Sequence, residues 1–187
     1  MKLRNVTALA ATTALLALLP NVALAGNPKG AVADAKVLRT LVTESPSAAR
    51  FREAQNLFLQ MNASQAALAR GRDTLPKAVS TALAAIPQSF GGLQGWLPQS
   101  TFGKNLRNYA LWLVASEHNA LAHADTTLHG LAGKSKAAQL KTLGAAVNGF
   151  VKEIDALTAA KNGQLAAAGQ GIPADEKSAV IAFSERG

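Results

Sequence analysis

The chain has 187 residues, 19 Lys plus Arg against 11 Asp plus Glu, and a formal net charge of +8. It has no cysteine, which excludes a disulfide framework, thiolate-bound zinc, covalently attached c-type haem, a cysteine nucleophile and a lipid-anchored lipoprotein. Alanine is abundant and aromatic residues make up only 5%, a balance that predicts an all-α fold: an antiparallel bundle of about four or five helices held by packing alone.

Residues 1–25 read as a secretory signal peptide. Lys2 and Arg4 supply a short positive start, Val6 to Leu19 carry no charge and are dominated by Ala and Leu, and Pro20 with Asn21 breaks the apolar run. Ala23-Leu24-Ala25 then offers small residues at the two positions a signal peptidase pocket accepts, so cleavage is expected to leave Gly26 as the new N-terminus. The charge-free stretch from Asn5 to Ala25 is long enough for a membrane anchor, since a span needs roughly 20 apolar residues. Thr7, Thr12, Thr13, Pro20 and Asn21 weaken it in that role, so no stable transmembrane anchor is expected after cleavage. With no twin-arginine pair, the general secretory route is the simpler one. The expected location is periplasmic or secreted, with residues 26–187 as a single helical domain.

Removing Lys2 and Arg4 with the signal leaves 17 basic residues against the 11 acidic ones, a net charge of about +6. That favours weak association with anionic surfaces, although a simply solvated surface accounts for it as well. No run of five or more basic residues exists, and the densest cluster, Arg70-Gly71-Arg72, reads as a helix end. Nucleic acid is not an expected partner.

A first helix is expected from Ala31 to Thr43. Ser45-Pro46 reads as an N-cap followed by proline at the first helical position, opening a second helix to Arg70 with Gly71 as its stop. Phe51, Ala54, Phe58, Met61, Gln65 and Leu68 form an apolar stripe on it in steps of three and four. Thr74 is expected to cap a third helix carrying Val79, Leu83 and Ile86 and ending before Pro87. A fourth helix is expected from Gly103 or Lys104 to Leu128, and a fifth from Ser135 to Ala168, closed by Gly169-Gln170-Gly171-Ile172-Pro173. Leu140, Leu143, Val147, Phe150, Ile154 and Leu157 make the clearest heptad seam, expected to face the stripe on the second helix. The tail from Asp175 is expected to form at most one short helix with a frayed end.

Between the third and fourth helices, at about residues 87–103, the segment from Pro87 to Phe102 contains three glycines, two prolines, Phe90, Trp96 and Phe102. The expectation is a long Gly/Pro/aromatic loop. Its Phe90, Leu93, Trp96, Leu97 and Phe102 either pack over the end of the helices or present a contact surface to a partner, where aromatic residues make strong anchors.

Chemical motifs are sparse. No Gly-x-Ser-x-Gly elbow exists, and Gly91-Gly92-Leu93-Gln94-Gly95 lacks the ending of a phosphate-binding loop. No catalytic set or cofactor is expected. On the fourth helix, Glu117 falls within an apolar arc made by Leu106, Ala110, Leu113, Ala120, Leu121, Ala124, Leu128 and Leu131. A carboxylate there pairs, protonates or reaches water. His118, Asp125 and His129 share a flank of the same helix but extend over about 16 Å, too far for one metal. The signal segment, the heptad stripes and the aromatic loop together point to a non-enzymatic exported protein of the cell envelope that binds another protein, as an accessory subunit of a surface or secretion assembly. The alternative is a periplasmic carrier or sensor of a small ligand or metal, held between helices near Glu117 and His118.

Overall fold

The computed structural model describes residues 26–185, and expectations for the signal segment lie outside them. Seven α-helices and one π-helical turn follow in chain order, with no strand among the described residues. They are α1 (Pro28–Leu38), the π turn (Arg39–Thr43), α2 (Pro46–Met61), α3 (Gln65–Gly71), α4 (Thr74–Gly95), α5 (Thr101–His129), α6 (Lys136–Gly169) and α7 (Ala174–Ser184). The all-α expectation holds. No helix of the described residues is long and apolar enough to cross a membrane.

The chain divides into two units. Among the described residues, 46–90 and 113–160 form one, and 26–45, 91–112 and 161–185 form the other.

In the unit of residues 46–90 and 113–160, the two stripes expected to meet do so through aromatic rings. Phe58 of α2 stacks on Phe150 of α6, centroids 3.9 Å apart and rings 12° from parallel. Phe51 approaches the same ring at 6.3 Å and 47°. Leu143, Val147, Phe150 and Leu157 are buried along α6, as are Phe51, Ala54, Phe58 and Met61 along α2. Ring contacts of this kind add to the area they bury.

The expected second helix is two helices. Asn62 and Ala63 turn the chain, and Ser64, with an extended backbone, accepts the Ala67 N–H at 3.1 Å to start α3. Ser at this place satisfies an otherwise orphaned donor, which makes a restart inexpensive. The break lets the Met61 side chain lie against Gly71, where a Cβ would collide with it. Gln65, expected on the buried stripe, is exposed, whereas Leu68 is buried.

The largest departure is at residues 87–103. α4 passes through Pro87 and ends at Gly95, and α5 begins at Thr101, so the expected long loop is a link of only Trp96 to Ser100. The reason is visible in the burial pattern. Leu75, Val79, Ala82, Ile86, Ser89 and Leu93 are buried in alternating steps of four and three. A proline inside a helix removes one hydrogen bond and crowds the preceding turn, at a cost of about 3 kcal/mol. Burial of a leucine is worth about 1.5–3 kcal/mol, so keeping Leu93 on the buried row offsets most of that cost. Pro87 itself faces solvent.

In the other unit, α1 starts at Pro28, three residues earlier than expected. Asn27 caps it, its side-chain oxygen accepting the Gly30 N–H at 3.0 Å, with proline at the first helical position. The π turn closes with Glu44 N–H donating to the Arg39 carbonyl at 3.0 Å and an Arg39–Glu44 ion pair at 2.6 Å. α1 packs against α7, whose Glu176, Lys177 and Val180 are buried.

Candidate interaction site

The short link between α4 and α5 is held at both ends by polar side chains from other parts of the chain. At its start, the α4 C-terminus leaves carbonyls without helical partners. Arg107 of α5 fills this need, Nε donating to the Leu93 carbonyl at 2.7 Å and Nη2 to the Gln94 carbonyl at 2.6 Å. The Trp96 N–H continues the helical pattern to the Gly92 carbonyl at 3.0 Å. Leu41 of the π turn lies so close to Gly92 that a Cβ there would meet it at 2.9 Å.

At its other end, the first N–H groups of α5 are each accounted for. Ser100 is the cap, its Oγ accepting the Gly103 N–H at 2.9 Å. Glu176 of α7 accepts from Thr101 N at 3.3 Å and from Phe102 N at 2.8 Å. Asp34 of α1 accepts from Ser100 N at 2.9 Å, from Ser100 Oγ at 2.5 Å, and from Gln99 N at 3.0 and 3.2 Å. Both carboxylates are 1% exposed. A helix N-terminus carries the positive end of the macrodipole, so buried negative charge is favoured there, and hydrogen bonds to ionised groups are the stronger kind. Gly103 is required by closeness, since a Cβ there would strike the Asp34 carboxylate. Asn27 adds a further tie, Nδ2 donating to the Gln99 carbonyl at 3.1 Å.

On this frame stands Leu97, 82% exposed. Trp96 and Pro98 on either side are half-buried. Of the other residues expected to line a contact surface, Leu93 is 0% and Phe102 2% exposed, and Phe90 is half-buried on α4. The five do not form one displayed surface, because helical phase turns Leu93 and Phe102 into the core. What the link offers outward is Leu97 and Gln99, with parts of Trp96 and Pro98.

Asp34 and Glu176 escaped the sequence reading, although a signal was present. Asp34 falls on the row Ala31, Asp34, Ala35, Leu38 that faces inward on α1. The periodicity argument that singled out Glu117 on the fourth helix applies to Asp34 on the first.

Glu117 is half-buried, and His118 is exposed. His123 Nδ1 lies 2.9 Å from Glu153 Oε1. His129 Nδ1 meets Asp125, 2.8 Å from its carbonyl and 3.3 Å from Oδ2, as their spacing of four suggests. Among the described residues no group of three or more His, Cys, Asp or Glu side chains could hold a metal ion. A shallow polar depression lies among Asn105, Asn108, Tyr109, Gln164, Ala167 and Ala168. It carries amides and one phenol but no carboxylate, histidine or cation, so it offers hydrogen bonds without acid–base chemistry. Comparison with protein-family models, with curated proteins and with solved structures found no match to this chain.

Proposed function

We propose that this is an exported cell-envelope or secreted protein that acts without catalysis, by binding another protein through the link between α4 and α5. In this reading residues 1–25 are a cleaved signal peptide, and residues 26–187 form one antiparallel helical bundle whose accessory role lies in a surface or secretion assembly. The observation that carries the contact is Leu97, 82% exposed on a link whose backbone is fixed by a buried carboxylate. Single exposed apolar side chains are common. A leucine on a backbone already ordered is different, because binding through it costs little further conformational entropy. A partner of matching chemistry presents an apolar pocket that takes Leu97 and the exposed edge of Trp96, the kind of central anchor on which interfaces depend.

The test is capture from envelope extract with the exported protein and with its Leu97→Asp variant, alongside thermal unfolding of both. Leu97 has few contacts to lose, so the variant should keep its Tm within about 1 °C, as surface changes usually do. A specific partner should be retained by the parent and lost by the variant. Identical capture by both would overturn the assignment of the link as the contact.

A further inference from the structure

The first residues of the described chain are placed in an unusual way. The Gly26 N–H donates to Asp175 Oδ2 at 3.1 Å, and the next one, Asn27 N–H, donates to Glu176 Oε1 at 2.8 Å. Two successive backbone nitrogens thus meet two successive carboxylates, the acidic residues in the first turn of α7. Position 26 has no space for a side chain. A Cβ there would meet Asp175 Oδ1 at 2.5 Å, Glu176 Cγ at 2.6 Å and Pro173 Cβ at 2.8 Å. Glu176 is also the acceptor for Thr101 and Phe102 at the start of α5, so this node ties α1, α5 and α7 together.

We infer that cleavage between Ala25 and Gly26 creates a Gly26 α-ammonium that pairs with Asp175 and completes the node joining the start of the mature chain to α7. The inference rests on the proposed signal-peptide junction. A signal peptidase adds one water across the Ala25–Gly26 peptide bond. The C–N bond breaks, the carbonyl carbon takes the water oxygen and leaves as a carboxylate, and the nitrogen takes up the hydrogens to become an ammonium. Before cleavage the nitrogen at this place is a neutral amide with one hydrogen. Afterwards it carries a positive charge and three hydrogens, with the Asp175 oxygen already at hydrogen-bonding distance. The bond, already charge-assisted through the carboxylate, becomes an ion pair in which donor and acceptor are both ionised. Asp175 is exposed, so solvent reduces the gain to that of a surface ion pair. Processing therefore strengthens the fold at the place where α5 begins, directly after the Leu97 link, and the unprocessed chain lacks this contribution.

The experiment starts with the intact mass of the protein recovered after export. A mass beginning at Gly26 is expected, and any other N-terminus overturns both the junction and the inference. The exported protein and its Asp175→Asn variant are then compared, each with the α-amine free and after selective α-acetylation. Acetylation restores a neutral amide with one hydrogen, as in the precursor. Asparagine keeps the side-chain oxygen that accepts the Glu176 N–H at 2.9 Å. At low salt, acetylation should lower the Tm of the parent by about 1–4 °C, the shift expected of an exposed ion pair in a chain of this size. In the Asp175→Asn background it should leave Tm unchanged. Equal Tm for both forms of the parent, with the N-terminus confirmed at Gly26, overturns the pairing while leaving the export reading intact. A loss of the same size in both backgrounds overturns it too.

Discussion

Removing the Asp34 carboxylate would strand three donors at once, the N–H groups of Gln99 and Ser100 and the Ser100 hydroxyl. A buried donor without an acceptor costs about 1–3 kcal/mol, and bonds to charged groups sit at the upper end of hydrogen-bond strengths. Asp34→Ala is therefore expected to destabilise the fold by about 2–4 kcal/mol, read as a lower urea midpoint. Asp34→Asn keeps one acceptor oxygen and should fall between the two; a midpoint for the alanine variant equal to that of the parent would contradict this role. Solvent-exposed charge behaves differently. Arg72 beside Asp73 holds that carboxyl below its usual range and is itself raised in return, first through their hydrogen bond and then through the charges. With a depressed folded-state value, any contribution is present above the unfolded carboxyl range and disappears as pH falls through the lower folded one. Both groups lie in solvent, so Asp73→Asn should leave Tm between pH 3 and pH 7 within about 1 °C of the parent, as expected of an exposed pair.

At the level of elements, α4 sets a clear trial for the balance between a local breaker and a buried row. If Leu93 and Ser89 hold the helix together through Pro87, replacing the proline should relieve a cost without altering the path of the chain. Pro87→Ala restores the missing N–H and should raise stability by about 1–3 kcal/mol. Slower amide exchange over residues 83–91 would accompany it. A destabilised variant would mean that the proline serves a conformation the helix needs. The same element explains what the sequence disclosed and what it withheld. The stripes on α2 and α6 were legible because Phe51, Phe58 and Phe150 recur in helical phase on segments with no competing signal, and these rings meet. The row Leu75 to Leu93 is equally periodic, but Pro87 and the nearby glycines are strong local breakers that mask the pattern crossing them. The division of α2 from α3 was hidden for the opposite reason: Ser64 is a modest cap inside a stripe that looked continuous. Leu97 and Trp96 stand out in the sequence as candidate contact residues. Their frame could not, since Asp34 and Glu176 are 65 or more positions from the backbone groups they serve in α5 and its approach.

Across the whole molecule, the net charge of about +6 that the proposed loss of residues 1–25 would leave bears on what the protein adheres to, and it separates two ways of using the exposed link. Basic residues are scattered through the chain with no dense run. Attraction to an anionic surface is then long-range and diffuse, and it is screened once the Debye length shrinks to about 10 Å at 0.1 M salt. Insertion of Trp96 and Leu97 into a lipid interface would instead depend on apolar area, which salt does not weaken. The protein-binding reading makes a definite forecast. The exported protein should sediment with vesicles rich in anionic phospholipid at about 10 mM salt and be released by about 0.3 M, where screening removes the attraction. Leu97→Asp should lower vesicle binding at low salt only as far as one added negative charge does, and Leu97→Asn should bind as the parent does. Binding that survives at high salt and is lost in Leu97→Asn would identify the link as a membrane contact in place of a protein contact. The charge would then be the means by which the protein reaches its surface, and the leucine held out by Asp34 the means by which it stays.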